Sequence, residues 1–280
     1  MKSFKSFIFT AIFMSIFSFF SCKKNTALRF STIAVEKQIP LIHENDTTLP
    51  FAEVEVRFTY PTRFRDAQSL TRLQQIFVGT FFDSVSFDSM TPQEAMNQYI
   101  AEYTEMYQSL SNDFYNERMR LGGQIPQWYW YTMSNINKIL FQNDFLLSYS
   151  VEFSDYTGGA HGSFRVINYN IDLTHLVTIS EEDLFIPGFF QPLTEKIINA
   201  LMKQFEVNEP DMLLEKGFFT LEDIVPNSNF WLDDKGIHYS FNQYEIAPYM
   251  MGVINVTIPF SELRDILLPE SIISRHLLND

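Results

Sequence analysis

Residues 145–173 read FLLSYSVEFSDYTGGAHGSFRVINYNIDL, and within them Phe145, Leu147, Tyr149, Val151 and Phe153 alternate with Ser148, Ser150 and Glu152. A period of two is the signature of a strand with one apolar and one polar face. After the loop Tyr156-Thr157-Gly158-Gly159-Ala160-His161-Gly162, the stretch from Phe164 to Leu173 is strand-like again. Two strands on a short connection make an antiparallel pair, because a parallel pair needs a crossover of a dozen or more residues.

The same alternation appears upstream, where Val54, Val56, Phe58 and Tyr60 interleave with Glu53, Glu55, Arg57 and Thr59 until Pro61 ends the strand. Between these sheet regions the period changes to that of a helix. Leu70, Leu73, Ile76, Phe77 and Phe81 share one helical face. Thr91-Pro92-Gln93-Glu94 then has a capping hydroxyl, a proline at the first helical position and a glutamate placed to close a capping box. The stripe Met96, Tyr99, Ile100, Tyr103, Met106, Tyr107 and Leu110 predicts a helix running to about Glu117, before Gly122 and Gly123. Trp128 to Met133 reads as a further strand.

Downstream of residue 173, Ser180 with Asp183 three residues later predicts a short capped turn, followed by a helix with Leu193, Ile197, Leu201 and Phe205 on one face. Phe230 to Leu232 and Ile237 to Asn242 form a predicted hairpin around Asp233-Asp234-Lys235-Gly236, and Val253 to Ile258 a last strand. Ser261 is placed to cap a final helix that Pro269 closes. Strands and helices come in runs rather than in strict alternation. The expected class is therefore α+β, with antiparallel sheets packed against helices and two small α+β subdomains, residues 49–175 and 176–268, in one globular unit before a C-terminal tail at 269–280.

The N-terminus carries a different message. Lys2 and Lys5 precede a nearly uncharged run from Phe7 to Phe20, and Ser21 and Cys22 follow, which is the order of a secretory signal. The run is too short to span a bilayer, since that takes about 20 consecutive apolar residues. Cys22, the sole cysteine, stands where bacterial lipoproteins carry the acylated residue, so residues 1–21 are expected to be a signal peptide and residues 22–48 an anchor and polar tether, with an early strand at Ser31 to Val35. The expected location is exported and lipid-anchored to a bacterial membrane, the outer membrane facing the periplasm. One cysteine also excludes an intramolecular disulfide.

The charge of the chain is −14, and loss of Lys2 and Lys5 leaves 18 basic against 34 acidic residues, about −16. Such a surface disfavours nucleic acid and anionic lipid, so membrane contact is expected through the lipid anchor alone. It favours basic proteins or cations, and it also serves solubility by itself.

No phosphate-binding loop, dinucleotide fingerprint, zinc-protease helix or hydrolase nucleophile elbow occurs. No cofactor is implied. In the glycine loop, Gly158, Gly159 and Gly162 permit positive φ and close backbone approach, and His161 could hold the turn, contact a ligand or act as acid and base. As a metal ligand His161 would need partners, and His175, His238, Asp155 and Glu152 show no ligand spacing. Ser163 and Asp155 supply the atom types of a triad with His161, but neighbours along a strand point to opposite faces. The second notable segment is Tyr244-Glu245-Ile246-Ala247-Pro248-Tyr249, two tyrosines around a proline between strands, read either as a stiff contact loop or as rings packed under the sheet.

These two segments also carry a resemblance. Asp155 to Gly162, the strand end Asn170-Ile171-Asp172-Leu173, Ser180-Glu181-Glu182-Asp183-Leu184-Phe185, and the run from Phe241 to Leu263 resemble the domain family found in the lysozyme-binding extracytoplasmic part of the anti-sigma factor RsiV and in the N-terminal region of the peptidoglycan deacetylase PdaC. The likeness extends over roughly residues 51–268. Thr174 and His175 replace the lysine- and glycine-bearing turn usual in that family. The resemblance implies a non-catalytic ligand-binding module at the cell envelope, for a basic protein such as lysozyme or a peptidoglycan fragment, with Tyr156, Gly158, Gly159, His161, Tyr244, Pro248 and Tyr249 as candidate binding positions. The alternative is a peptidoglycan- or glycan-modifying hydrolase that uses His161 and nearby carboxylates.

Overall fold

Arg29–Pro40 (β1) and Phe51–Arg63 (β2) pair antiparallel, with Val35 opposite Val56 and Ile39 opposite Ala52. The computed structural model describes residues 27–42 and 48–278, so the expected signal segment and Cys22 lie outside the described residues. Much of the stretch expected as a tether is this first strand, which runs well past the anticipated Ser31 to Val35. Its polar residues mislead because β1 lies at a sheet edge, where Glu36, Lys37 and Gln38 remain in solvent. In β2 the alternation holds: Val54, Val56 and Phe58 are buried, while Glu53 and Arg57 are exposed.

Helix α1 (Ala67–Phe82) begins at Asp66, whose carboxylate accepts the Ser69 amide at 2.9 Å, and ends at Asp83 in the left-handed region. It presses Leu73, Phe77 and Phe81 onto the sheet, and Phe81 stacks on Phe58 at 4.6 Å. Helix α2 (Pro92–Ser109) has the expected capping box between Thr91 and Glu94. The single long helix expected to Glu117 is two, α2 and α3 (Ser111–Arg120), joined at Leu110, where the Leu110 amide turns back to the Tyr107 carbonyl at 3.2 Å. The restart lets Phe114 reach the core edge-on to Tyr129.

The three helices form a crossover, so β3 (Tyr131–Gln142) lies parallel to β2, with Met133 opposite Val54. Among the described residues this is the one parallel pair in a sheet expected to be antiparallel throughout. Residues 127–129 form a 3-10 turn instead of strand, and β3 continues far beyond Met133. Its inner face hid the extension, because Asn135 and Asn137 occupy positions where apolar side chains are usual. Asn137 accepts the Thr59 amide and donates to the Thr59 carbonyl, both at 2.7 Å, and so extends the β2–β3 pairing through a side chain.

Strands β4 (Leu146–Tyr156), β5 (Ser163–Asp172) and β6 (Val177–Thr178) complete a six-stranded sheet in the order β1-β2-β3-β4-β5-β6. After it come α4 (Phe190–Gln204), the short α5 (Met212–Glu215), and β7 (Phe230–Leu232), β8 (Gly236–Phe241) and β9 (Ile254–Pro259), an antiparallel sheet of three strands. The α+β class holds.

The two sheets serve two apolar clusters, one between the larger sheet and α1–α3, the other between β7–β9, α4 and the C-terminal segment. They meet at β4, which is buried on both faces from Leu146 to Val151. Ser148 and Ser150, which look like a solvent face in the sequence, are covered by the second unit. Ser148 donates to Asn170 at 2.8 Å, and Asn170 in turn accepts the Leu232 amide at 2.9 Å and donates to the Phe230 carbonyl at 2.8 Å. Buried polar groups are tolerated when they are bonded in this way.

The chain end differs from expectation. No helix starts at Ser261: Phe260–Glu262 is a 3-10 turn, and Phe185 bridges to Leu267. The segment expected as a tail packs instead, with Ile272, Ile273 and Leu277 buried around a turn of π-helix at Ile273–Leu277. Burial of such side chains is worth about 1.5–3 kcal/mol each, enough to hold a terminus down. Among the described residues no helix is long and apolar enough to cross a membrane.

Candidate functional site

The outer edge of β5 is joined to β6 only at Ile171 and Asp172. Along the rest of that edge, side-chain amides of the second unit take the place of a neighbouring strand. Asn229 accepts the Asn168 amide at 2.8 Å and donates to the Val166 carbonyl at 2.9 Å. Asn242 accepts the Val166 amide at 2.7 Å and donates to the same residue's carbonyl at 3.0 Å, and Gln243 accepts the Phe164 amide at 3.2 Å. A strand edge capped by side chains leaves space that a paired strand would fill. An open cleft of about 550 Å³ lies here, lined by residues that include His161, Phe164, Ser228, Gln243, Tyr244, Glu245 and Tyr249.

One wall of the cleft is aromatic. His161 stacks on Tyr249 with ring centroids 4.1 Å apart, and Tyr249 lies 6.0 Å from Tyr244. The loop after β8 holds this arrangement: Tyr244 adopts φ 67°, its amide bonds the Ala247 carbonyl at 3.2 Å, and Pro248 precedes the 3-10 turn Tyr249–Met251. Tyr244 remains 57% exposed and Met250 88% exposed, so the loop presents large side chains to solvent. In the same lining, the Glu245 carboxylate accepts Asn227 Nδ2 at 2.8 Å and Asn242 Nδ2 at 3.3 Å.

Beneath the cleft lies Glu181, a buried carboxylate. It accepts the Ser228 amide at 3.2 Å, the Ser228 hydroxyl at 3.3 Å and the Tyr239 hydroxyl at 2.8 Å. Burial raises its pKa above the usual carboxylate range, and the hydrogen bonds from Tyr239 and Ser228 offset only part of that. Ser228 sits at φ 57°, and this anchor fixes the turn that carries Asn227 and Asn229.

Of the residues singled out in the sequence, His161, Tyr244 and Tyr249 come together in the cleft, although about 80 residues separate the two segments. Tyr156 ends β4 opposite Thr132 and is not among the residues that line the cleft. Gly158 is structural: it has φ 84°, and a Cβ there would lie 2.0 Å from the Trp128 carbonyl oxygen. Gly159 does not use the positive φ open to a glycine, and at Gly162 a Cβ would lie 2.8 Å from the Asp155 carbonyl oxygen. No triad forms, because Ser163 donates to Asp155 while His161 Nδ1 lies 2.9 Å from the Gly162 carbonyl oxygen. His175 pairs with Asp172 at 2.7 Å, and His238 lies between Thr257 at 2.8 Å and Asp233 at 3.2 Å. Among the described residues no group of three His, Cys, Asp or Glu is gathered as metal ligands would be.

The second unit, including the Tyr244–Tyr249 loop, also carries a match to a family model. Residues 182–261 match the family model described as a protein of unknown function, DUF3298. The fold is similar over nearly the whole chain to the crystal structure of a DUF3298 family member from Bacteroides fragilis, with a TM-score of 0.84, 29% identity, and coverage of 91% of this chain and 99% of that one. A DUF3298 protein from Pseudomonas aeruginosa aligns at a TM-score of 0.57 with 17% identity, over 87% of this chain and 95% of that one, and shares the fold alone. No curated protein matches. The DUF3298 match begins after the glycine loop, so His161 comes to the cleft from outside the matched segment.

Sequence reasoning missed Asn227, Asn229, Asn242, Gln243, Glu245 and the buried Glu181. The density of amide side chains at 227–229 and 242–243, flanking β7 and β8, was the available signal, because amides suit both edge capping and polar recognition. Glu181 was legible only as part of a capped turn.

Proposed function

We propose that this chain is a cell-envelope binding module, exported and held to a bacterial membrane through Cys22, whose ligand site is the cleft between the glycine loop and the Tyr244–Tyr249 loop. The observation that carries this reading is the His161–Tyr249–Tyr244 wall, with partly exposed rings on a hydrogen-bonded loop beside polar groups. Tyrosines held in this way provide contact area at low entropic cost, as in protein- and glycan-recognition surfaces. The absence of a Ser163–His161 hydrogen bond supports binding over acyl-transfer hydrolysis at this loop. The resemblance to RsiV and PdaC domains suggests the ligand class, a basic lysozyme-like protein or a peptidoglycan fragment, and the charge of −14 is consistent with a basic partner.

The test is calorimetry of the full-length chain in mild detergent with lysozyme and with soluble peptidoglycan fragments at low salt, repeated for Tyr249→Ala. Binding of one ligand that Tyr249→Ala weakens at least tenfold is the expected result. If neither ligand binds, or if Tyr249→Ala binds as the parent does, the cleft is not the site.

A further inference from the structure

The cleft contains a feature that the choice between protein and glycan does not explain. Glu245 is exposed, its carboxylate is held by two amide donors, Asn227 Nδ2 and Asn242 Nδ2, and both donors are themselves fixed, Asn227 by a second bond to the Ser240 carbonyl at 3.0 Å and Asn242 by Val166. Several surface carboxylates elsewhere in the fold meet a cation, as Glu36 and Glu55 meet Arg57, Glu117 meets Arg120, Glu152 meets Lys138, Glu262 meets Lys203 and Asp265 meets Lys196, while others, such as Glu94, Glu102 and Asp223, are met by neutral donors. Among the described residues Glu245 has no cationic partner, and it is held by two neutral amide donors in the lining of the cleft. Arg165 also lines the cleft, but its charged end is engaged elsewhere. Its guanidinium lies over the Phe153 ring at 4.3 Å and faces Asp83 at 3.8 Å, on the helix side of the sheet.

We infer that the cleft captures an organic cation, a lysine-type ammonium or a guanidinium of the ligand, between the Glu245 carboxylate and the faces of Tyr244 and Tyr249. Two attractions converge there. A carboxylate held by fixed amides needs no reorganisation to accept a charged donor, and charge-assisted hydrogen bonds are about twice as strong as neutral ones. The π-face of a tyrosine is negative and attracts a cation within about 6 Å of its centroid. The acidic surface of the whole chain adds long-range attraction that weakens as salt is raised. The same ammonium could come from a lysine of a basic protein or from the free amine of a cell-wall peptide, and the cleft chemistry is the same for both.

This inference rests on the reading of the cleft as a binding site, and the experiment separates the two. In a nitrogen-detected NMR titration of the full-length chain in detergent, the side-chain amides of Asn227 and Asn242 report directly on the Glu245 carboxylate. The probes are an end-blocked pentapeptide with one central lysine, a peptidoglycan fragment with a free amine on its peptide stem, and the N-acetylated form of each. The expected result is that at least one free-amine probe shifts these two amide signals, that its acetylated form does not, and that Glu245→Gln weakens binding about fivefold at low salt. Response to the lysine peptide alone assigns the cation to a protein partner, and response to the peptide-stem amine alone assigns it to the cell wall. The inference is overturned if acetylated and free probes bind equally, if Glu245→Gln has no effect, or if the shifts map outside the cleft. Should lysozyme or a peptidoglycan fragment bind through Tyr249 while the amines have no effect, the binding module stands and the cation does not. Glu245 is exposed, so an unchanged thermal midpoint in Glu245→Gln excludes unfolding as the cause.

Discussion

Asn242 bonds Val166 twice, accepting its amide at 2.7 Å and donating to its carbonyl at 3.0 Å, so that one side chain stands in for a neighbouring strand. The primary amide has the same separate donor and acceptor as a peptide group, which is why asparagine fits the role and an aspartate, which only accepts, does not. Through this pair and its Asn229 counterpart the second unit is fastened to the edge of the first, and the cleft lies at the fastening.

Asn242→Ala should lower stability by about 1–3 kcal/mol, because it leaves the Val166 amide at the β5 edge without a partner and its carbonyl with Asn229 alone. Asn242→Asp should cost a comparable amount, since a carboxylate can accept from Val166 but cannot donate back, and it places a second negative charge beside Glu245. Urea unfolding of the three chains checks this, and a loss below about 0.5 kcal/mol in Asn242→Ala would show that water replaces the side chain without penalty.

The glycines of the loop should separate sharply. Gly158→Ala meets both a positive φ and the Trp128 carbonyl, so it should cost about 1–3 kcal/mol. Gly159→Ala meets nothing closer than 3.7 Å and has an ordinary φ, so it should stay within about 0.5 kcal/mol of the parent. Thermal midpoints of the two variants measure the contrast directly.

Glu181 gives stability a direction with pH. Its folded pKa is raised, so the folded chain holds a proton that the unfolded chain releases; the contribution is complete below the unfolded value of 4.5 and is lost as pH rises through the folded value. Asp172 and Asp233 act in the opposite sense. Each is partly buried, which pushes its pKa up, but hydrogen bonds from histidine and backbone amides outweigh this and hold both below 3.8, so their contribution is lost as pH falls through the folded values. Chemical denaturation across pH 3 to 8 should therefore show less stability at both extremes, and Glu181→Gln should flatten the limb above 4.5 while leaving the acid limb in place. An unchanged upper limb would mean that Glu181 titrates normally in the folded chain.

If Cys22 is acylated, Cys22→Ser should move the chain from the membrane fraction to the soluble fraction and abolish incorporation of a labelled fatty acid. Retention at the membrane with no label in the parent would remove the lipid anchor from the proposal.

Local pattern revealed a large part of the architecture. The alternation at Val54–Tyr60 and Phe145–Phe153, the Thr91–Glu94 capping box and the Asp233–Gly236 hairpin depend on contacts within a few residues, and such contacts are written directly in spacing and turn chemistry. The acidic charge and the α+β class follow from composition and element order in the same way.

What spacing could not state was how far-apart surfaces would meet. Ser148, Ser150, Asn168 and Asn170 have the polarity of a solvent face, and only the docking of β7 and β8 turned them into a buried interface, where each amide had to find a partner some 60 to 70 residues away. The parallel β2–β3 pair, the packed C-terminal segment and the meeting of His161 with Tyr249 are of the same kind. A periodicity records which side of an element is apolar. Which polar groups can be buried depends on partners brought by the rest of the chain, and that is decided only when the two units close on each other.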